Sequence, residues 1–438
     1  MAFESVDLIE VWAWGALVGA VIEDPASGFH VFAYGQDWVA AGIELSPLHL
    51  PCRPGTFVFP DLSPLTYLRL PALLADSLPD RFGNALVDAW MATQGVAREQ
   101  ITPLDRLAYL SDRAMGALEF RPPAGAPVAD LGAVQLADLV VEARRAVSGN
   151  LDLGDDGALD ALRQLVQVGT SAGGARAKAV VAYNPETGQI RSGQLEAPGG
   201  FEHWLVKLDG VAGYDPTRED DGFSDGGGFG QVEFAYHLMA VEAGIEMSPC
   251  RLLPEGPRTH FLTKRFDRGP GGVRHHLLSL CAMAHLDFNL PRVHTYEQYF
   301  HTIDELGLGP TAREQGFRRM VFNVAAVNRD DHTKNLAFLL PARGAWQLAP
   351  AFDVTHAHNA AAGTWTQAHQ MSVNGRFDAI RRADLEEVGD RFAVPGYRSV
   401  IGEVLDAVGR WEDFAGEADV SEAHVARIRG DLDRFRPA

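Results

Sequence analysis

The sequence predicts an α+β fold, and three observations carry that expectation. Residues 7–45 set β-branched and aromatic residues between turn signals at Glu23-Asp24-Pro25 and Ser27-Gly28. The middle of the chain mixes strand and helix patterns. From Ala282 onward helical periodicity dominates, broken by one short hairpin. At 438 residues the chain exceeds the size at which one core keeps growing, so several structural units are expected. The expected segments are 1–125, an N-terminal β-rich subdomain, 126–270, a mixed lobe, and 271–438, a mainly helical C-terminal lobe.

In chain order, residues 7–45 read as a small antiparallel sheet. Helical text follows from Leu73 to Ala97 around Asp80-Arg81-Phe82-Gly83-Asn84, and again from Asp105 to Tyr109, ahead of Gly116-Ala-Leu-Glu-Phe120. The Pro- and Gly-rich stretch Arg121 to Pro127 closes this part. Leu136 to Val147 and Leu159 to Val168 read as amphipathic helices. Strands are expected at Ala179 to Tyr183 and His203 to Leu208, separated by the turn Asn184-Pro185-Glu186-Thr187-Gly188. A helix from Gln231 to Ala243 and a strand ending at Arg265-Phe266 come next. The late hairpin has arms Leu336 to Leu340 and Trp346 to Ala349.

A formal charge of −20 argues against broad capture of nucleic acid, which relies on clustered Lys and Arg. The pairs Gly375-Arg376 and Arg381-Arg382 are candidate local basic patches, set against the plainer reading of a solvated loop. Cys52, Cys250 and Cys281 are few, far apart and without metal-ligand spacing, which points to a reducing compartment. The apolar run Val11 to Ile22 is too short to span a bilayer, and no basic leader precedes it, so a cytoplasmic protein without a membrane role is expected.

The segment richest in chemistry is Asn323-Val-Ala-Ala-Val-Asn-Arg-Asp-Asp-His-Thr-Lys-Asn335, a helix end running into a polar loop. Asp330 and Asn335 have the D-x-x-x-x-N spacing of a protein-kinase catalytic loop, in which the Asp accepts the substrate hydroxyl proton and the Asn holds magnesium. The hairpin then returns the chain to Asp353, a second carboxylate suited to a hard metal ion bridging phosphates. A capped helix end would explain Asp330, Asp331 and His332 singly; the three-part pattern favours phosphoryl transfer. His356, His358 and His369 raise a metallohydrolase alternative, but no helical ligand motif accompanies them.

Only four lysines occur, Lys178, Lys207, Lys264 and Lys334, against thirty-four arginines (38 − 4), and all four lie in short segments that together read as a nucleotide-dependent kinase site. Lys is a compact point charge where Arg is a planar fork, so the choice suits a buried ammonium facing phosphate. Gly169-Thr-Ser-Ala-Gly-Gly-Ala-Arg-Ala-Lys178 is a small-residue loop able to cradle phosphates, although Ala175 stands where a Walker A motif requires Lys. Gly226-Gly-Gly-Phe-Gly230 lacks the last Gly of G-x-G-x-x-G and reads as a turn before a helix. Glu233 on that helix is a candidate partner for Lys207, as a kinase strand lysine pairs with a helix glutamate.

Taken together, Ser171-Ala-Gly-Gly-Ala-Arg-Ala-Lys178, Leu205-Val-Lys-Leu208, Lys264-Arg-Phe-Asp-Arg268, Asp330-Asp-His-Thr-Lys-Asn335 and Leu348-Ala-Pro-Ala-Phe-Asp-Val354 resemble the HipA family of serine/threonine kinase toxins from bacterial toxin–antitoxin systems. Leu78-Pro-Asp80 and Gly116 to Phe120 look like that family's β-rich subdomain before a bilobal, protein-kinase-like core. The resemblance implies ATP and Mg2+ as cofactors, Asp330 as general base with His332 beside it in the catalytic set, and Asn335 and Asp353 as magnesium ligands. It also implies that Ser171, Gly173, Gly174, Ala175, Arg176, Ala177, Lys178 and Lys207 belong to the phosphate site with Glu233, His332 and Lys334, and that Lys264, Arg265 and Phe266 form the hinge beside adenine. Lys264 stands where many members carry Glu, and the phosphate loop departs from the commoner text.

The resemblance further implies a helix-turn-helix antitoxin partner of the HipB kind, DNA contact only through that partner, an aminoacyl-tRNA synthetase or similar translation protein as acceptor, and silencing by autophosphorylation of Ser171. Two alternatives stand beside it: a non-catalytic pseudokinase partner of an antitoxin, and a small-molecule kinase on the same core.

Overall fold

In a computed structural model of the chain, residues 5–123, 139–140, 177–193, 199–214, 223–224, 227–358 and 365–437 are described. The expected boundary near 125, the helices at 136–147 and 159–168, the phosphate loop from Gly169 to Arg176 and Gly226 fall outside the described residues, apart from Leu139 and Val140, which are helical. The chain divides into two packed units. The first comprises residues 1–46, 50–227 and 253–276, and the second 47–49, 228–252 and 277–438. The expected α+β class is what the structure has, strands prevailing in the first unit and helices in the second.

The first unit opens on an antiparallel sheet of β1 (Leu8–Ala13), β2 (Ala16–Glu23), β3 (His30–Tyr34), β4 (Thr56–Phe57) and β5 (Leu118–Arg121), in the order β4-β3-β2-β1-β5. Period-two alternation places Ile9, Val11 and Ala13 inward with Phe32 and Phe120. Gly19 is required here, because a Cβ would lie 2.2 Å from the Ala33 carbonyl oxygen. Residues 36–41, which read as part of the sheet, form a short helix, Gln36–Ala41, closed by Gly42 in the left-handed conformation. The helix Arg81–Thr93 begins at Asp80, whose carboxylate accepts from the Gly83 N–H at 2.8 Å.

A second sheet contains β6 (Lys178–Tyr183), β7 (Ile190–Ser192), β8 (Glu202–Lys207), β11 (Cys250–Glu255) and β12 (Arg258–Lys264), in the order β11-β12-β8-β6-β7. Between β8 and β11 lies a small pair, β9 (Ala212–Tyr214) and β10 (Phe223–Ser224). One face of the large sheet presents Val181, Trp204, Val206 and Leu262 to Phe82, Leu86 and Met91 of the helix Arg81–Thr93. The amino-terminal helix and this second sheet therefore share one core.

The second unit is built on the helices Phe229–Glu242, Tyr296–Glu305, Gly309–Ala325, Arg382–Arg391, Tyr397–Gly409 and Glu422–Phe435. Gly316 permits the close approach of two of them, since a Cβ would meet Ile303 at 3.0 Å and Tyr299 at 3.2 Å. The unit also carries β13 (His276–Ser279), β15 (Ala337–Leu340) and β16 (Gln347–Leu348), and a parallel pair of β14 (His294–Thr295) with β17 (Met371–Ser372). The expected hairpin is β15 and β16, with Phe338 opposite Leu348. Among the described residues no helix is long and apolar enough to cross a membrane.

A charged bolt joins the segment after β12 to the amino-terminal sheet. Asp267, fully buried, accepts from Arg265 Nε at 2.9 Å and Nη2 at 2.7 Å, from Arg268 at 2.8 Å and from the Gly116 N–H at 2.7 Å. Arg268 and Arg274 donate in turn to the carbonyls of Ala114 and Gly116. Burial works to raise the Asp267 carboxyl, but the charges of Arg265 and Arg268 prevail and hold it well below the usual carboxylate range. A depressed carboxylate contributes stability above its unfolded value near pH 4, and that contribution is lost as pH falls through the folded value. Asp267→Asn is expected to lower stability at pH 7 by about 3 kcal/mol or more, because two buried guanidinium groups lose their counter-charge. Urea unfolding as a function of pH should show a shallower acid loss in the variant than in the wild type.

Candidate functional site

The polar loop belongs to the second unit. The helix Gly309–Ala325 ends, Val327 turns at φ 54°, and residues 328–332 lead, through an extended His332, into a 3-10 turn at Thr333–Asn335. Asp331 points inward with its carboxylate fully enclosed. It accepts from Tyr296 Oη at 2.9 Å, from His369 Nδ1 at 2.9 Å and from the Gln370 N–H at 2.8 Å. Asn323 Nδ2 donates to Tyr296 Oη, and Asn328 Nδ2 donates to Asn323 Oδ1, each at 2.9 Å, which extends the network into the helix. Beside the enclosed Asp331, the Asp330 side chain is 47% exposed.

Three further site residues cluster there. Asn335 Nδ2 donates to the Asp330 carbonyl at 2.9 Å, which turns its amide oxygen away from that carbonyl. His332 Nε2 lies 3.7 Å from Asp330 Oδ1, and its ring is 5.5 Å from that of Phe288. Lys334 Nζ sits 5.4 Å from the centre of the same Phe288 ring.

Asp353 follows β16 on a stretch tied down on both sides. Ala351 donates to the Glu246 carbonyl at 2.8 Å, while Ala357 donates to the Val327 carbonyl and Arg329 to the Ala357 carbonyl, both at 3.2 Å. The second of these ties is to the polar loop itself. Asp353 adopts φ 53°, a left-handed conformation that Asp tolerates better than most residues.

The lysines lie in the first unit. Lys178 on β6 is directly opposite Lys207 on β8, so both side chains leave the same face of the sheet. Lys178 is buried, and Lys207 Nζ is 5.7 Å from the ring centre of Phe261, its neighbour on β12. Ala177 precedes them, buried, its carbonyl accepting from Leu208.

Lys264 is placed differently. It is opposite Trp204, so its side chain leaves the other face of the sheet, and its Nζ donates to Glu202 Oε1 at 2.5 Å. Arg265 gives its guanidinium to Asp267 and its backbone N–H to the His203 carbonyl at 2.9 Å, and the next residue, Phe266, is half-buried. Glu233 is buried on the helix Phe229–Glu242 of the second unit, whereas Lys207 belongs to the first. Ser171, Gly173, Gly174, Ala175 and Arg176 are outside the described residues.

The histidines of the metallohydrolase alternative serve carboxylates: His369 donates to Asp331, and His356 Nε2 is 3.0 Å from Asp431. Among the described residues no group of three or more His, Cys, Asp and Glu side chains is arranged to hold a metal ion. Arg376 lies in a turn and pairs with Asp384, in keeping with the solvated-loop reading there, whereas Arg381 and Arg382 are not loop residues: they cap and begin the helix Arg382–Arg391, with Arg382 paired to Glu386.

Comparison with known proteins decides the family. A model of the HipA N-terminal domain matches residues 9–121, and a model of the HipA-like C-terminal domain matches residues 170–412, more than half of the chain. The chain belongs to the HipA family. Its fold is similar to that of HipA from Shewanella oneidensis MR-1, solved with HipB and operator DNA, at a TM-score of 0.66 and 17% identity over 97% of this chain and 95% of that one. A Helicobacter pylori proinflammatory kinase, CtkA, matches at a TM-score of 0.28 and 12% identity, over 52% of this chain and 92% of that one. No curated protein matches the chain.

Within this HipA-family fold, sequence reasoning passed over two groups, Asp331 and Asp267. A second acid beside a motif Asp in an extended stretch, and an Asp between two Arg residues, are the local signals that each carboxylate is enclosed. The Lys264–Glu202 pair is partly exposed, 39% and 34%, and such pairs contribute about 0.2–1 kcal/mol. A double-mutant cycle of Lys264→Met and Glu202→Gln, read by urea unfolding, is expected to give a coupling within that range.

Proposed function

We propose that this HipA-family chain is an ATP- and magnesium-dependent serine/threonine protein kinase, the toxin of a toxin–antitoxin module. The observation that carries the proposal is the polar loop. A half-exposed Asp330 and an Asn335 amide oriented by the Asp330 carbonyl lie five residues apart in one loop, and the stretch bearing Asp353 is hydrogen-bonded to that loop. Asp330 would take the proton of the acceptor hydroxyl as its oxygen bonds to the γ-phosphorus. The bond from that phosphorus to the β,γ-bridging oxygen breaks, and ADP leaves with the electron pair.

Asn335 and Asp353 offer one amide and one carboxylate oxygen. That pair fits magnesium, which keeps several waters, takes phosphate oxygens and needs only one or two protein donors. When held there, the ion neutralises charge developing on the phosphate oxygens. Lys178 and Lys207, side by side on one face, would receive the nucleotide's phosphates, and the hinge backbone near Lys264 would meet adenine. Glu233 would orient Lys207.

The acceptor class carried by the family resemblance is an aminoacyl-tRNA synthetase or similar translation protein in the cytoplasm, with Ser171 as the site of self-silencing. The solved relative was crystallised with HipB and operator DNA, which supports a HipB-like helix-turn-helix antitoxin as partner. With a net charge of −20, contact with DNA is proposed through that partner alone.

Asp330→Asn is expected to reduce transfer from γ-labelled ATP to protein by about 10^3-fold or more, roughly 4 kcal/mol of barrier. Transfer at the wild-type rate would end the kinase reading, and ATP binding without any transfer by the wild type would favour the pseudokinase alternative. Lys178→Gln and Lys207→Gln should each weaken ATP binding about tenfold or more, while Lys264→Gln, whose ammonium leaves the opposite face, should change it by less than about twofold, measured by calorimetry.

A further inference from the structure

We infer that Arg329 and Asp331, the two neighbours of Asp330, are positioning residues that aim the general base by fastening it from both sides to one segment, residues 367–378. The inference rests on Asp330 being the base, and it concerns how that base is held.

On one side, Arg329 has a side chain only 2% exposed. Its Nη2 donates to Asp378 Oδ1 at 2.8 Å, its Nη1 to the Gln367 carbonyl, and its guanidinium carbon lies 3.9 Å from the ring centre of Phe435. On the other side, Asp331 accepts from His369 and from the Gln370 N–H. Both anchors reach the same stretch of chain, and that stretch is closed on itself. His369 donates to the Phe377 carbonyl at 2.9 Å, Val373 and Arg376 exchange backbone bonds, and β17 lies parallel to β14. A base with one fixed neighbour could swing about the free peptide on its other side. Opposite charges fixed on both sides hold both peptide planes and leave only side-chain rotation to Asp330.

Asp378 makes the inference testable, because it is the one charged anchor that faces water, 55% exposed, and can be changed without opening the core. Displacing a catalytic group by about 1 Å can cost on the order of a hundredfold in rate. The readout is the apparent kcat and KM for ATP, with transfer from γ-labelled ATP into total protein of a bacterial lysate, alongside the melting temperature.

Asp378→Asn is expected to lower kcat about tenfold, with KM within about twofold and an almost unchanged melting temperature. Asp378→Glu should recover at least about half of the wild-type kcat. Asp331→Asn, which sets an amide N–H among three donors, should lower kcat by about a hundredfold or more. With Asp330→Asn silent, an Asp378→Asn protein at the wild-type kcat would overturn this inference alone. So would a loss that follows the melting temperature and is not restored by Glu. Asp330→Asn at the wild-type rate would overturn the kinase reading and this inference with it.

Discussion

A carboxylate taken out of water must be met by donors, and the second unit is arranged around the one at Asp331. Three donors from two separate parts of the chain, Tyr296 at the start of a helix and His369 and Gln370 before β17, converge on its two oxygens. Removing any one of them would leave a buried charge under-satisfied, at a cost of a few kcal/mol. The requirement fixes the register of the loop. Position 331 is enclosed, Asp330 is half-exposed, and Asn335 five residues on returns its amide to the Asp330 carbonyl. The exposure of Asp330 on this loop goes with the polar satisfaction of Asp331 beneath it.

The first unit solves a different problem with the same means. Its second sheet has one apolar face, covered by the helix Arg81–Thr93, and one face carrying Lys178 and Lys207. Beyond β12 the chain turns through Arg265, Asp267 and Arg268 into the amino-terminal sheet, and the buried acid holds two guanidinium groups and a backbone N–H there. His203, on the lysine face, is pushed down to about 4 by burial and by Arg265 and Arg268, so it stays neutral at pH 7 and adds no charge beside the lysines. The two family motifs at 116–120 and 264–268 meet in this bolt.

Local pattern made much of this legible. The hairpin of β15 and β16, the strands β6 and β8, the helix Phe229–Glu242 and the D-x-x-x-x-N spacing all depend on residues close in sequence, and each appears where the sequence places it. The short helix Gln36–Ala41 was hidden by aromatic and β-branched residues that suit a strand equally well. The face taken by Lys264 depends on its register against Trp204, sixty residues away, and no spacing within the Lys264 segment reports it. Arg265 read as a nucleotide contact beside the hinge, yet its guanidinium is committed to Asp267, which is joined in turn to a residue 151 positions away. Asp331 read as part of a helix cap because its partner His369 lies 38 residues on. Sequence pattern reveals which residues can do chemistry, while the side chains that hold them in place are settled by contacts distant along the chain.

The most direct measurement of the central claim is calorimetric titration with a non-hydrolysable ATP analogue, with and without magnesium, on the wild type and on Asp353→Asn. If the lysine face and the two oxygen donors serve one nucleotide, magnesium should tighten binding to the wild type about tenfold or more, and tighten binding to the variant by less than about twofold. Equal affinity with and without magnesium, or a variant as responsive to the ion as the wild type, would contradict the account.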